Sequence, residues 1–296
     1  MPSNQLKPCA CTGVRWCTRC RGNEVRMRFR MDDPVPLPDF LTDRPLTQEA
    51  VHDLPIHFFD PSTQSAPSCP AFRGVRLYRD FLSESEAARL LETLETTPFI
   101  PAQSGKAKQH YGPKINFNKR KINASAFQGI PAYARELESR ARATLRDDPN
   151  LSAQERAALE VALLSYQATD VFVLRYHPQE SSNLDFHLDD PFAYGELIFD
   201  LSLESDAVLT FVRGRPNSEL EEAETTIAQP ICIRVPLPAR SLAVLYGPAR
   251  FEWEHAVLAY DIESQRTSVT LRTLSQTLKE TEAGRSVCER ARQNVA

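Results

Sequence analysis

The chain contains 296 residues, of which 42% are hydrophobic and 25% are charged, and its formal net charge is −4 at pH 7. These values are typical of a globular protein, and no apolar run approaches the roughly 20 residues that a membrane-spanning helix needs. Residues 1–8 lack the apolar core of a signal peptide, so the sequence predicts a location in the cytoplasm, the nucleus or both, with no membrane partner. The length is consistent with one large domain or two small ones, and we expect a monomer.

The charges are unevenly distributed along the chain. Residues 1–30 contain seven Lys and Arg against one Glu, and residues 105–122 contain six Lys and Arg and no acidic residue. The rest of the chain is therefore strongly acidic. An acidic body with two basic segments argues against indiscriminate binding of nucleic acid, but it permits a local contact.

Four of the seven cysteines lie in the first basic segment, at Cys9, Cys11, Cys17 and Cys20. Cys17 and Cys20 have the two-residue spacing of a zinc knuckle, in which one tight turn presents both thiolates. Four thiolates so close together repel one another unless a cation lies between them. We therefore interpret residues 1–31 as a small zinc-binding segment, with an iron–sulfur centre or plain reduced thiols as the alternatives.

Residues 32–70 contain eight prolines and show little periodicity. This composition predicts either an extended linker or a chain that lies over the next domain. We place that domain at residues 71–278. A charged tail, residues 279–296, follows it and is interpreted as a short helix or as chain without regular structure.

The predicted domain begins with a strand at Val75–Tyr78. A helix follows, and its start is indicated by a capping box formed by Ser83 and Glu86. Two more helices, starting at Pro131 and at Ser152, are expected to support one face of a sheet. Alternating or β-branched runs predict strands at 171–176, 197–203, 207–213, 231–237, 241–246, 252–258 and 266–273. Many short strands separated by turns predict an α+β domain built on a double-stranded β-helix, or jelly-roll, barrel. The acidic stretch 215–229 is interpreted as an exposed insertion.

The second basic segment interleaves basic and aromatic side chains, among them Lys106, Lys108, Tyr111, Lys114 and Phe117. Such a segment can contact phosphates through its lysines and stack an aromatic ring on a base. It could equally dock on an acidic protein surface. A solvated basic loop is the third interpretation.

Three residues have the types and the order of an iron site. His187 and Asp189 follow a predicted strand, where side chains two residues apart point to one face, and His255 is the only histidine further along the chain. Two histidines and a carboxylate hold non-haem Fe(II) and leave coordination positions open. Arg266 and Arg272 then share one face of an alternating strand, and a dicarboxylate co-substrate needs such an arginine.

This order of residues resembles the AlkB family of Fe(II)/2-oxoglutarate dioxygenases. Two further motifs carry the resemblance, Tyr111-Gly112-Pro113-Lys114 and the stretch from Pro236 to Leu242, and it covers roughly residues 70–275. It implies that the basic segment forms a lid over the substrate. It also implies that Fe(II) is held by three ligands, His187, Asp189 and His255.

The resemblance also assigns roles in binding 2-oxoglutarate. Arg266 matches the arginine that holds the C5 carboxylate, and Arg272 matches the one near the C1 carboxylate and the metal-binding aspartate. Tyr176 matches a tyrosine that hydrogen-bonds the co-substrate. The chain departs from the family pattern at Leu174 and Ser268, which stand where asparagine is usual, so one expected hydrogen bond to the co-substrate is missing at Leu174.

The implied reaction couples decarboxylation of 2-oxoglutarate, to succinate and CO2, to hydroxylation of a C–H bond. On an N-methyl group the hydroxylated product breaks down and releases formaldehyde. The resemblance implies one of two substrates, either methylated lysine in a protein such as actin or N6-methyladenine in DNA. The alternatives are a protein or small-molecule hydroxylase on the same fold and a non-catalytic zinc-knuckle binding module with a degenerate barrel.

We expect the full-length protein to contain about one zinc ion in addition to iron, because four thiolates match a tetrahedral site. Metal analysis of the purified wild type and of a Cys17→Ser/Cys20→Ser double variant tests this expectation. The variant should lose zinc and keep iron. Equal zinc in the two proteins would rule out the site.

Overall fold

The computed structural model of the protein describes residues 54–117, 119–213 and 231–295. The cysteines of the predicted zinc site, the first part of the proline-rich stretch and the acidic segment 215–229 lie outside these ranges. Among the described helices, none combines the length and the apolar character that crossing a bilayer requires.

Two β-sheets form the body of the domain. The major sheet has seven strands in the spatial order β2 (Val75–Tyr78), β13 (Leu242–Leu245), β10 (Tyr194–Leu203), β15 (Arg266–Leu274), β8 (Asp170–Tyr176), β4 (Ala107–Tyr111) and β3 (Ile100–Pro101). The minor sheet has five, in the order β1 (Ile56–Phe58), β12 (Cys232–Leu237), β11 (Ala207–Arg213), β14 (Trp253–Val257) and β9 (Leu184–His187). Two small pairs complete the strands, β5 (Lys114–Asn116) with β6 (Lys121–Asn123) and β7 (Ile130–Pro131) with β16 (Asn294–Val295).

From β8 to β15 the chain passes repeatedly between the two sheets. Strands β8, β10, β13 and β15 lie in the major sheet, and β9, β11, β12 and β14 lie in the minor sheet. The pairings among these strands are antiparallel. This arrangement is the jelly-roll barrel of the double-stranded β-helix, so the predicted fold class is confirmed.

The longer helices begin close to the starting positions that their capping residues predicted. Ser83 caps α1 (Glu84–Glu95) and Ser152 caps α3 (Ala153–Ser165), each through the reciprocal hydrogen bonds of a capping box. Between them, α2 (Ala132–Arg146) starts one residue after Pro131, which takes the N-cap position rather than the first helical position. Later in the chain, the described residues form three short α-helices: α4 (Gly247–Phe251), α5 (Gln276–Lys279) and α6 (Glu282–Arg290).

The alternation of side chains along the major sheet separates two apolar cores. Val173, Phe199 and Leu271 face outward and belong to a buried cluster that includes residues of α1, α2 and α3. Residues on the opposite face join side chains of the minor sheet, such as Phe211 and Trp253, inside the barrel. Because successive residues of a strand point to opposite faces, each strand both attaches the helices and builds the barrel interior.

The folded chain extends beyond both predicted ends of the domain. Strand β1, in the proline-rich stretch, pairs in parallel with β12, and the neighbouring Phe59 is buried, so this part of the stretch lies over the domain. At the other end, α6 buries Val287 and β16 pairs with β7. Strands of two or three residues are too short to show alternation, so the sequence pattern could not reveal them.

Candidate active site

His187 and His255 lie side by side on adjacent strands of the minor sheet. His187 is the last residue of β9 and is directly opposite His255 of β14 in the antiparallel pair. Their ring centroids are 4.4 Å apart. Strand β9 ends at His187, and Asp189 follows it with its Oδ2 atom 3.7 Å from Nε2 of His255. One potential ligand atom from each residue lies within 4.8 Å of the others.

These three side chains have the chemistry that an Fe(II) ion requires. Nδ1 of His187 is 2.8 Å from the backbone carbonyl oxygen of Asp185. Because a carbonyl oxygen only accepts hydrogen bonds, Nδ1 carries the proton and Nε2 keeps the lone pair that a metal needs. All three residues are buried, and they share one side of a cavity.

The carboxylate of Asp189 is held in its charged form by its surroundings. Burial by itself raises the pKa of Asp189, but the nearby Arg272 guanidinium and the two histidines outweigh it, so the pKa lies well below its ordinary value. Nε of Arg272 is 2.9 Å from Oδ1 of Asp189. Arg250 donates a 2.6 Å hydrogen bond to the backbone carbonyl of Asp189. Arg250 is buried. The sequence gives no indication of its role at the site, because its hydrogen-bond partners are backbone atoms of distant segments.

The wall opposite the histidines is built by β15 and β8, which are paired residue by residue. Arg266 is in register with Tyr176, and Arg272 is in register with Asp170. One cavity of about 640 Å³ is lined by His187, Asp189 and His255 and by alternate residues of both strands, from Phe172 to Tyr176 on β8 and from Arg266 to Arg272 on β15. The structure therefore brings all six residues expected around the iron and the co-substrate into a single cavity.

Arg266 is almost completely buried, at 1% exposure, and is fixed by three groups. Its Nε donates to Oγ of Ser202 at 3.0 Å, and its guanidinium carbon is 5.1 Å from the centre of the Tyr176 ring. Its Nη2 is 3.5 Å from Oδ2 of Asp200. Burial raises the pKa of Tyr176 to about 12, so the phenol keeps its proton and can donate a hydrogen bond.

A family model of the 2OG-Fe(II) oxygenase superfamily matches residues 74–285 of this chain. Alpha-ketoglutarate-dependent dioxygenase alkB homolog 4 of Homo sapiens is 33% identical over 91% of this chain and 87% of its own length. The protein of the same name in Mus musculus is 28% identical over 91% of this chain and 88% of its own length. DNA N6-methyl adenine demethylase of Caenorhabditis elegans is 26% identical over 92% of this chain and 88% of its own length.

The chain belongs to the AlkB family of 2OG-Fe(II) oxygenases. It is therefore a dioxygenase that uses Fe(II) and 2-oxoglutarate. The donor set of His187, Asp189 and His255 fits the iron.

The basic segment of this AlkB-family enzyme is part of the folded domain, with β-strands in both of its halves. Its first half is strand β4, which pairs with β8 at one side of the major sheet, so that Lys108 is opposite Leu174. Lys106, Lys108, Lys114 and Phe117 line the cavity. Tyr111 packs instead against the helix-side core. It is three positions from Lys108, and residues an odd number of positions apart point to opposite faces of a strand, so Tyr111 is directed away from the cavity. Stacking by Phe117, the alternative, stays a prediction.

A polar chain that the sequence did not predict extends from the metal site along the cavity wall. Asp170 is fully buried and receives a hydrogen bond from Nη1 of Arg272 at 3.0 Å, and its other oxygen is 2.6 Å from Nε2 of His110. Burial raises the pKa of Asp170, but His110 and Arg272 reverse the effect and lower it. Gly112 permits this contact, because a Cβ atom there would be 2.4 Å from Oδ2 of Asp170.

We expect Asp189→Asn to lose iron binding, because the amide supplies no negative charge to the metal. Asp190→Asn is the matched control. Asp190 accepts a 2.8 Å hydrogen bond from the backbone N–H of Phe192, which an asparagine oxygen can also accept, so this variant should keep its iron. Metal analysis and Mn(II) titration of the two variants measure the difference. Iron retained in Asp189→Asn, or lost equally in both variants, would contradict the assignment of Asp189 as a ligand.

Proposed function

We propose that this dioxygenase is an oxidative N-demethylase of a methylated macromolecule. The observation that carries the proposal is the convergence of the His187, Asp189 and His255 side chains and the buried Arg266 on one cavity. A cavity of about 640 Å³ is within the range of ligand-binding pockets and leaves space for a methylated group beside a small dicarboxylate. The name of the Caenorhabditis elegans relative supports demethylation as the reaction.

The residues that bind iron and 2-oxoglutarate have distinct roles in this proposal. Fe(II), when bound, supplies the redox chemistry that activates O2. Asp189 and the two histidines hold the ion, and Arg272 keeps the Asp189 carboxylate ionised and oriented. Arg266 binds the C5 carboxylate of 2-oxoglutarate with its planar guanidinium, and the Tyr176 hydroxyl donates to the co-substrate.

Apolar residues complete the cavity. Ile198, Leu209, Leu245 and Val257 line it from both sheets. They exclude water and so strengthen the electrostatic contacts inside. In the overall reaction one methylated amine, one O2 and one 2-oxoglutarate are consumed, and a hydroxymethyl amine, succinate and CO2 form. The hydroxymethyl amine then breaks down to the demethylated amine and formaldehyde.

The charge of the cavity favours N6-methyladenine in DNA over methylated lysine. Lys106, Lys108 and Lys114 line the cavity, and a methylated ammonium group would be repelled by them. A methylated adenine is neutral, and the phosphates that flank it are attracted to lysine. Methylated lysine is the second candidate, because the Asp185 carboxylate also lines the cavity and could pair with a cation.

The decisive experiment measures formaldehyde released from two substrates by the Fe(II)-loaded enzyme with 2-oxoglutarate. One is a single-stranded oligonucleotide containing N6-methyladenine, and the other is a peptide containing methylated lysine. We expect release from the oligonucleotide, at least tenfold faster than from the peptide, and none with Asp189→Asn. Succinate without formaldehyde from either substrate would indicate a hydroxylase. No succinate at all would indicate a non-catalytic barrel.

We expect Arg266→Ala to weaken 2-oxoglutarate binding by about 2–5 kcal/mol, roughly 30-fold to several thousand-fold, while iron still binds. The loss follows because the C5 carboxylate would be buried without a partner. Arg266→Lys keeps the charge but loses the contact through two parallel hydrogen bonds. Its affinity for 2-oxoglutarate should therefore lie between those of the wild type and Arg266→Ala.

Titration calorimetry with Mn(II)-loaded protein in the absence of oxygen measures these affinities. Arg234→Ala is the matched control, because Arg234 is an ion-paired arginine of β12 whose partner is Asp261. This variant should bind 2-oxoglutarate as the wild type does. If Arg266→Ala also binds it normally, the anchor is another cation, such as Arg272 or a lysine of the basic segment.

A further inference from the structure

Asp200 places a carboxylate beside the arginine that we assign to the co-substrate. It lies in the middle of β10 and points into the cavity. Its Oδ2 is 3.5 Å from Nη2 of Arg266, and its Oδ1 accepts a 2.7 Å hydrogen bond from the hydroxyl of Thr270. A carboxyl group therefore already faces the Arg266 guanidinium, which we assign to the C5 carboxylate of 2-oxoglutarate.

The charged groups around Asp200 come from several strands. Strand β15 contributes Arg266 and Arg272, strand β8 contributes Tyr176, and Asp189 follows β9. On its other side, β13 places Ala243 in register with Asp200. Of the two arginines, Arg272 is already engaged by Asp189 and Asp170. Arg266 is therefore the principal cation for both Asp200 and the incoming carboxylate.

Two carboxylates that share one guanidinium at a buried position repel each other strongly. In such pairs one carboxyl group keeps a proton, because both cannot be ionised at close range. We infer that binding of 2-oxoglutarate is coupled to the uptake of one proton by Asp200. The proton comes from solvent and bonds to a carboxylate oxygen of Asp200, which then donates a hydrogen bond instead of opposing the C5 carboxylate.

The surroundings of Asp200 make this uptake favourable. Burial raises the pKa of Asp200 above its ordinary value, even though Arg266 lowers it. The carboxylates of 2-oxoglutarate itself are ionised above about pH 5, so they do not take up the proton. Thr270 can accommodate either state, because its hydroxyl can both donate and accept.

The pH dependence follows from the direction of the pKa change. Binding of an anion raises the pKa of Asp200 further, so between the pKa of the free enzyme and that of the complex the complex holds one more proton. In that window the dissociation constant of 2-oxoglutarate should rise by up to tenfold for each unit of pH. Below the window the affinity should not depend on pH.

The experiment is calorimetric titration of Mn(II)-loaded protein with 2-oxoglutarate, without oxygen, between about pH 6 and pH 9. Each pH is measured in two buffers with different heats of protonation, which gives the number of protons taken up. We expect the wild type to take up about one proton as its affinity falls with pH. Asp200→Asn has the same shape but no ionisable group, so it should take up none and bind with an affinity independent of pH.

Asp261→Asn is the matched control, since it removes a carboxylate that is paired with a different arginine, Arg234, and that does not line the cavity. It should take up protons as the wild type does. Equal proton uptake by wild type and Asp200→Asn, or uptake of none by the wild type, would overturn the inference. Weaker binding by Asp200→Asn at every pH would also overturn it, because Asp200 would then serve to orient Arg266 as an anion.

Asp200→Ser is a second neutral variant, to be used if circular dichroism shows that Asp200→Asn is not folded.

The inference depends on Arg266 as the anchor of the C5 carboxylate, and the assignments of Arg266 and Asp200 fail separately. Normal binding by Arg266→Ala would remove the anchor itself. Weak binding by Arg266→Ala with unchanged proton uptake by Asp200→Asn would remove only the role of Asp200. Neither result depends on the identity of the methylated substrate.

Discussion

The guanidinium of Arg272 connects the charged groups on which the active site depends. It lies 2.9 Å from Asp189 and 3.0 Å from Asp170, and both carboxylates are inaccessible to solvent. A carboxylate buried without a cation would be costly and would tend to take up a proton. Because Arg272 prevents this, Asp189 is available to a metal as an anion. The same contact extends through Asp170 to His110 at the cavity wall.

The register between β8 and β15 is what makes these contacts possible. Asp170 is paired with Arg272, and Tyr176 with Arg266, at opposite ends of the same two strands. A shift of one residue would turn these side chains toward the helices and bring apolar ones into the cavity. The apolar residues between them therefore do more than fill the core. By packing against the helices, Val173 and its neighbours fix which face of the sheet carries the charges.

The cavity combines cations that suit a dicarboxylate with one carboxylate that opposes it. Arg266 is supported by Ser202 and Tyr176, whereas Asp200 competes for it. At Leu174, where the family usually has asparagine, the neighbouring residue across the β4–β8 pair is Lys108.

The sequence by itself determined the local features of this protein. Alternation and capping residues located the barrel strands other than β9, together with α1 and α3. The order of His187, Asp189, His255 and the two arginines indicated the iron and 2-oxoglutarate site. Tertiary structure alone decided the contacts between distant segments. It made β4 a sheet strand, turned Tyr111 away from the cavity, and joined Arg250 to Asp189 across 61 residues and Asp200 to Arg266 across 66. A local pattern states which face a side chain occupies, but the partner it meets there depends on which strands become neighbours, and that is settled only when the whole barrel packs.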